Sequence, residues 1–351
     1  MKIRTALSVT AASVAAALML SGCVAGEDTP TVDEPSTDTA AGTAGESWSA
    51  DVLNIDFATY NPLSLIIKDQ GWLEAELGDE VTVNWIQSAG SNKANEALRA
   101  GAVDVGSTAG SAALLARANG SPIQVIDIYS QPEWAAIVVP ADSDITSVEQ
   151  LAGRTVAATK GTDPYFFLLQ TLKAHGVDLA DVQVENLQHA DGKAALEGGS
   201  VDAWSGLDPL MAASEATVGS RLVYRNIDFN TYGFLNATEA FLETSPDLAQ
   251  LVVNAYEKAR AWAQENPEET AQILADVSGI DLAVAEKVII ERTNLAVDPA
   301  PGQAQLDVLE VVGPIFVEAG DVTSQDLIDD ALASLLNDEF VLAADPSALD
   351  D

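Results

Sequence analysis

The stretch ALRAGAVDVGS at 97–107 returns as ALEGGSVDAWS at 195–205, with six of eleven positions identical. Each copy reads as a helix end, a glycine break, a Val-Asp pair, a short strand and a serine. A unit recurring about one hundred residues on predicts two α/β lobes built alike. Ligands of open α/β sheets sit beyond the carboxyl ends of the strands. Both copies end at such a place, in GSTAGSA (106–112) and WSGLDP (204–209).

The sequence around the repeat supports this. VLNIDF (52–57), VTVNWI (81–86), VDVGS (103–107), IQVIDIY (123–129) and AAIVVP (135–140) read as strands. Helical patterns over 61–77 and 91–101 alternate with them, which predicts mostly parallel sheets covered on both faces. In the second half RTVAAT (154–159) and VQVENL (182–187) read as strands. After NTYGFLNATEA (230–240), taken as a second crossing between lobes, the pattern is helical over 246–266, 267–278, 281–293, 301–319 and 324–337. The expected order is a first lobe at 50–138, a second at 139–234, and a mostly helical return to the first at 235–345. About 300 residues exceed what one core normally serves, and two crossings make a hinge.

The N-terminus carries a different message. Lys2 and Arg4 precede the apolar run ALSVTAASVAAALML (6–20), too short for a permanent span. It ends in Leu20-Ser21-Gly22-Cys23, the lipobox pattern, so residues 1–22 read as a signal peptide and Cys23 as a lipidation site. Cys23 is the only cysteine of the 351 residues, which excludes a disulfide framework and a cysteine nucleophile. Residues 23–49 lack large apolar side chains almost entirely and read as a disordered tether.

The chain is strongly acidic, with a formal net charge of −38. That argues against nucleic acid and against a surface hugging anionic lipid. It leaves the charge of a small ligand open, because screening acts over about 8 Å at physiological salt. G-x-S-x-G, a P-loop, H-E-x-x-H and a Cys/His metal cluster are all missing from the sequence. No cofactor or metal is expected.

Several stretches in order resemble the substrate-binding lipoproteins of ABC importers, within them the aliphatic sulfonate, taurine and nitrate group, also called SsuA-like. They are YNPLSLIIKDQGWLEAELGDEVTVNW, SAGSNKANEALRAGAVDVGSTAGSAALLARANG, YSQPEWAAIVVP, SVEQLAGRTVAATKGT, SVDAWSGLDPLMA and NPEETAQILA. The resemblance implies a type II periplasmic-binding-protein fold holding a small organic acid between two lobes: an aliphatic sulfonate or a taurine-like compound. Nitrate, a pyrimidine precursor or an amine-bearing compound are the alternative solutes, and an enzyme on the same fold is the rival class. It also implies permease and ATPase partners, an extracytoplasmic place on the membrane through Cys23, and a monomer. By motif position the lining comes from Tyr60, Asn61, Ser107, Thr108, Ala109, Gly110, Gln131 and Trp134 of the first lobe. The second lobe offers Lys160, Gly161, Thr162, Asp163, Trp204 and Asp208.

The sequence departs from that group in TKGTDPYFF (159–167). Asp163 reads as an N-cap with Pro164 at the first helical position. STAG and KGTD would each offer helix-start amides to an anion, yet sulfonate binders carry small hydroxyl residues where Asp163 stands. Asp163 is then either a cap facing away from the cleft or a filter favouring neutral, zwitterionic or amine-bearing solutes. His189, at a strand end near the same cleft, is a further candidate for ligand contact.

Overall fold

The computed structural model describes residues 47–349. They form eleven strands: β1 (Val52–Phe57), β2 (Thr82–Gln87), β3 (Val105–Ala109), β4 (Ile123–Pro132), β5 (Ala135–Val139), β6 (Thr155–Ala158), β7 (Gln183–Asn186), β8 (Ala203–Leu207), β9 (Arg221–Tyr224), β10 (Gly233–Thr238) and β11 (Thr293–Asn294). The first sheet has the order β11-β4-β10-β3-β1-β2, and the second β7-β6-β8-β5-β9.

The repeat has a topological counterpart. In the first sheet β2, β1 and β3 run parallel, and β10 is inserted antiparallel between β3 and β4. In the second, β7, β6 and β8 run parallel, and β5 is inserted antiparallel between β8 and β9. The echoed segments supply β3 and β8, the third position of each sheet, each preceded by a nine-residue helix (Ser91–Arg99 and His189–Glu197). Both strands are buried throughout, as expected for parallel strands covered on two faces.

Three readings of the sequence are corrected. The run 135–140, which the expected boundary between 138 and 139 divides, pairs in the second sheet, so the first crossing is Glu133–Trp134. Residues 233–238, read only as part of a crossing, form a central strand of the first sheet. A short run buried on both faces has no alternation to declare it a strand. The helix expected over 61–77 breaks at Gly71, which adopts φ 66 and ends Pro62–Gln70 before Trp72–Leu77 begins.

The C-terminal segment packs mainly on the first sheet's lobe, with helices Pro246–Glu265 and Gln325–Leu335 against it. Helix Gln303–Ala319 touches both Gly110–Ala118 and Asp163–Ala174, one from each lobe. The helix expected over 281–293 is α-helical only over Leu282–Glu286. It widens into a π turn at Lys287–Glu291 and ends in β11, which pairs with Gln131 and Pro132. Such π turns recur at functional positions. This one delivers Arg292, buried, to the junction of the lobes.

Candidate functional site

Asp163 sits at the heart of that junction. Its helix starts one residue earlier than the sequence reading had it: Thr162 holds the N-cap position, and the Asp163 side chain does not cap. Instead Oδ1 accepts from Ser111 Oγ (2.5 Å) and Thr231 Oγ1 (2.8 Å), and Oδ2 from Trp134 Nε1 (2.7 Å) and Thr231 N (2.8 Å). Ser111 belongs to the first lobe, Trp134 to the first crossing and Thr231 to the second. The crossings are also joined directly, because Ala135 N donates to Asn230 Oδ1 at 2.8 Å. A buried carboxylate must be met by donors, and its own helix offers too few, since Pro164 has no N–H. Burial pushes the Asp163 pKa up, and the four hydrogen bonds work against that rise. Four donors around one carboxylate is the setting of the ionised form.

The amide cradle expected at STAG is already used by the protein. Ala109 N donates to Ser91 Oγ (2.9 Å), Gly110 N to Tyr232 O (2.9 Å) and Ser111 N to Thr231 Oγ1 (3.1 Å). Ser107 gives both its N–H (2.9 Å) and its hydroxyl (3.0 Å) to Asp56 Oδ1, and Thr108 Oγ1 accepts from Asn236. Asp56, at the carboxyl end of β1, is fully buried with Oδ2 unpartnered, and burial pushes its pKa up to about 7.

Tyr60 is the common wall of three hollows between the lobes. Its hydroxyl donates to Ser107 O at 3.0 Å, and its ring meets Trp134 edge-on at 6.1 Å. The largest hollow, about 240 Å³, is bounded by Thr59, Gln87 and Ser88 of one lobe and Gln188, His189 and Asp208 of the other. The other two are each about 10 Å³, room for about one water.

His189 begins the helix after β7, and its ring is buried. Thr159 Oγ1 donates to Leu187 O at 2.7 Å, so toward His189 Nδ1, 3.1 Å away, it can only accept. The ring therefore carries Nδ1–H and leaves Nε2 as a bare acceptor. Nε2 has no partner, and burial pulls the His189 pKa down to about 3. Gln188 Oε1 is likewise buried and unpartnered.

Asp208 closes the opposite flank. Its carboxylate accepts from Ala212 N at 2.8 Å and from Arg292 Nη1 at 3.0 Å. Arg292 Nη2 reaches Glu215 at 2.6 Å, and Lys287 reaches the same carboxylate at 3.2 Å. Asp208 and Glu215 stand on the second lobe, and Arg292 and Lys287 on the returning segment, so this network also spans the cleft. Burial raises the Asp208 pKa and the Arg292 guanidinium opposes that rise.

The other residues singled out from sequence lie further off. Asn61 caps helix Pro62–Gln70 and donates to Tyr256 Oη (3.0 Å). Gln131 pairs with β11. Lys160 is exposed, its ammonium 5.5 Å from the Tyr165 ring centroid, and lines none of the three hollows. Gly161 takes φ 78 in the turn ahead of Thr162, whose hydroxyl donates to Thr159 O. Trp204 is core: fully buried among Val138, Leu196 and Met211 under Gly192. Cys23 and the leader lie outside the described residues. Among the described residues no helix is long and apolar enough to cross a membrane.

Sequence reading missed Ser111, Thr231 and Arg292. Arg292 carried a signal, a cation in a chain with 16 Lys and Arg against 54 Asp and Glu, but it was absorbed into a helical pattern. Thr231 had none, since its role depends on where the second crossing folds back.

Two like-ordered sheets meeting over a polar cleft, joined by two crossings that bond to one another, define the periplasmic-binding-protein fold. The chain belongs to the NMT1/THI5-like family, whose model matches residues 65–270. It is 28% identical over 222 residues to a putative aliphatic sulfonates-binding protein of Escherichia coli, covering 63% of this chain and 70% of that one. A protein of the same description from Bacillus subtilis is 28% identical over 229 residues, covering 64% and 69%. Among solved structures, the alkanesulfonate-binding protein SsuA from Xanthomonas axonopodis pv. citri, bound to MOPS, superimposes with a TM-score of 0.72 at 23% identity, over 80% of this chain and 98% of that one.

Proposed function

We propose that this protein is the extracytoplasmic solute-binding component of an ABC importer, closing its two lobes over a small organic solute and handing it unchanged to the permease. The observation that carries this reading is the cleft itself. Asp163 and Asp208, both on the second lobe, reach donors on the first lobe, the crossings and the returning segment, and Asp208 lines a hollow of about 240 Å³ walled by both lobes. That arrangement suits enclosure of a ligand by hinge closure. The names of the relatives add the solute class, an aliphatic sulfonate or taurine-like compound. The division into lobes at 50–138, 139–234 and 235–345, shifted so that β5 belongs to the second, is part of the proposal.

The same reading places lipidated Cys23 in the membrane and makes the folded part a monomer; the tether expected over 23–49 is cut short, because Trp48 packs on the core and Ser49 N donates to Asp247. The deciding experiment is mass spectrometry of the small molecule that co-purifies with the natively folded protein, followed by calorimetry with that compound. Recovery of the compound unchanged after prolonged incubation supports binding without chemistry; turnover would move the protein to the rival class of enzymes on this fold.

A further inference from the structure

The lobes meet through two kinds of contact. In one, helix Gly110–Ala118 of the first lobe touches helix Asp163–Ala174 of the second, and helix Gln303–Ala319 lies against both. That third helix goes with the first lobe. A Cβ at Gly313 would lie 2.5 Å from Ile328 Cγ2, so it sits flush on helix Gln325–Leu335, which itself packs on Gly110–Ala118. From it Phe316 reaches Phe166 of the second lobe, the two rings fully buried with centroids 4.2 Å apart. Leu114, Val312 and Leu168 belong to the same apolar core, which runs through both lobes. Where the first turns of Gly110–Ala118 and Asp163–Ala174 meet, the buried Ser111 hydroxyl donates to Asp163 Oδ1. The second kind of contact is ionic. Arg292 and Lys287 of the returning segment hold Asp208 and Glu215 of the second lobe, and Asp208 lines the 240 Å³ hollow.

The two answer separation differently. Parting Phe166 from Phe316 exposes apolar surface, which is unfavourable in proportion to its area. Parting Arg292 from Asp208 returns both charges to water, and the hydration regained offsets much of the attraction lost. Asp163 adds a geometric constraint. Its carboxylate bonds to the first lobe at Ser111, to the first crossing at Trp134 and to the second at Thr231. Hydrogen bonds tolerate little change of distance or angle, so a group tied to all three parts keeps its bonds only close to the axis of a turn. Resting on the solute-binding reading, we propose that the lobes turn about the Phe166–Phe316 seam, with Asp163 as its polar pin, and part at the Arg292 flank. Asp163 is then neither a cap nor a filter for solute. It keeps the two helix starts together in both positions of the lobes.

The test follows two distances between spin labels in the full chain, with Cys23→Ser removing the native thiol. Ala216→Cys and Ala283→Cys lie on exposed positions of two helices that touch across the Arg292 flank. Ala174→Cys and Glu310→Cys, also exposed, span the seam. Both pairs are measured with and without Arg292→Leu, or with Asp208→Asn and Glu215→Gln together where that variant does not fold. The flank distance is expected to lengthen by about 5 Å, as a turn of about 15° on a lever arm of about 20 Å gives, and the seam distance to hold. Asp163→Asn, or Asp163→Ser if the asparagine variant does not fold, should broaden the seam distribution. Lengthening of the seam together with the flank, lengthening of neither, or a seam distribution untouched by a folded Asp163 variant overturns the proposal. No solute enters these measurements, so such a result leaves the solute-binding reading intact. That reading fails separately, if the natively folded protein carries and binds no small molecule.

Discussion

The indole N–H of Trp134 lies 2.7 Å from Oδ2 of Asp163, a bond between the first crossing and the second lobe's first helix. The same carboxylate takes Thr231 of the other crossing, so one side chain fixes the relation of both hinge segments. Trp134→Phe keeps the ring and its edge-on contact with Tyr60 but removes one of four donors. A hydrogen bond to a charged group contributes about 1.5–3 kcal/mol, so the variant should unfold at lower denaturant by about that much. In a double-mutant cycle with Asp163→Ser the two losses should not add. Additive losses in chemical denaturation would show that the bond does not couple them.

Arg292 carries a second test. Removing one partner of a buried ion pair leaves an uncompensated charge and costs about 3–5 kcal/mol. Arg292→Leu should therefore cost more than Asp208→Asn, because it leaves the buried Asp208 without its cation and Glu215 with Lys287 alone. Since this network spans the cleft, the variant should also favour separated lobes, visible as a larger radius of gyration in solution scattering without solute. A lower melting temperature with unchanged dimensions would make the network a matter of stability alone.

Much of the fold was legible before any coordinates, because periodicity and the 97–107 and 195–205 repeat are local. Tyr60, Trp134, Asp163 and Asp208 were legible too, as residues following strands or opening helices. What those side chains bond to was not. The cap expected at Asp163 rested on helix-start chemistry within one segment, whereas its donors come from residues 52, 29 and 68 positions away. Trp204 looked like a cleft residue from its place after β8's start, yet alternation along a doubly covered strand turns it into the core.

Two buried groups set opposing responses to acid. His189 stays neutral down to about 3 in the folded chain, against an ordinary 6.5, so between those values the unfolded chain binds more protons and stability falls as pH drops. Asp56 titrates at about 7, against 3.8, so between those values the folded chain binds more protons and stability rises as pH drops. From pH 6.5 to 5 each contributes about 2 kcal/mol of opposite sign, at 1.36 kcal/mol per pH unit. His189→Gln should make the protein gain stability relative to the unmodified chain over this range, and Asp56→Asn should make it lose. Parallel pH profiles for the three proteins would show that neither group is set apart in this way.

Anchoring has its own assay. Cys23→Ser removes the only cysteine of the chain and should move the protein from the membrane fraction to the soluble one. Retention of the variant with the membranes would refute lipidation at this residue.

Gly90 probes closure. It precedes helix Ser91–Arg99 with φ 145, a backbone that side-chain-bearing residues rarely adopt, and a Cβ there would lie 2.9 Å from His189 Nε2 across the cleft. Gly90→Ala thus introduces backbone strain of about 1–3 kcal/mol and a wedge between the lobes. The two effects separate in combination with His189→Ala, which removes the ring but not the strain. If the wedge matters, Gly90→Ala should bind solute more weakly than His189→Ala does, and the double variant should match His189→Ala while keeping the melting-temperature loss of Gly90→Ala. The wedge account fails if the double variant binds as weakly as the two losses combined; strain at the helix start, acting within the first lobe alone, would then be the cause.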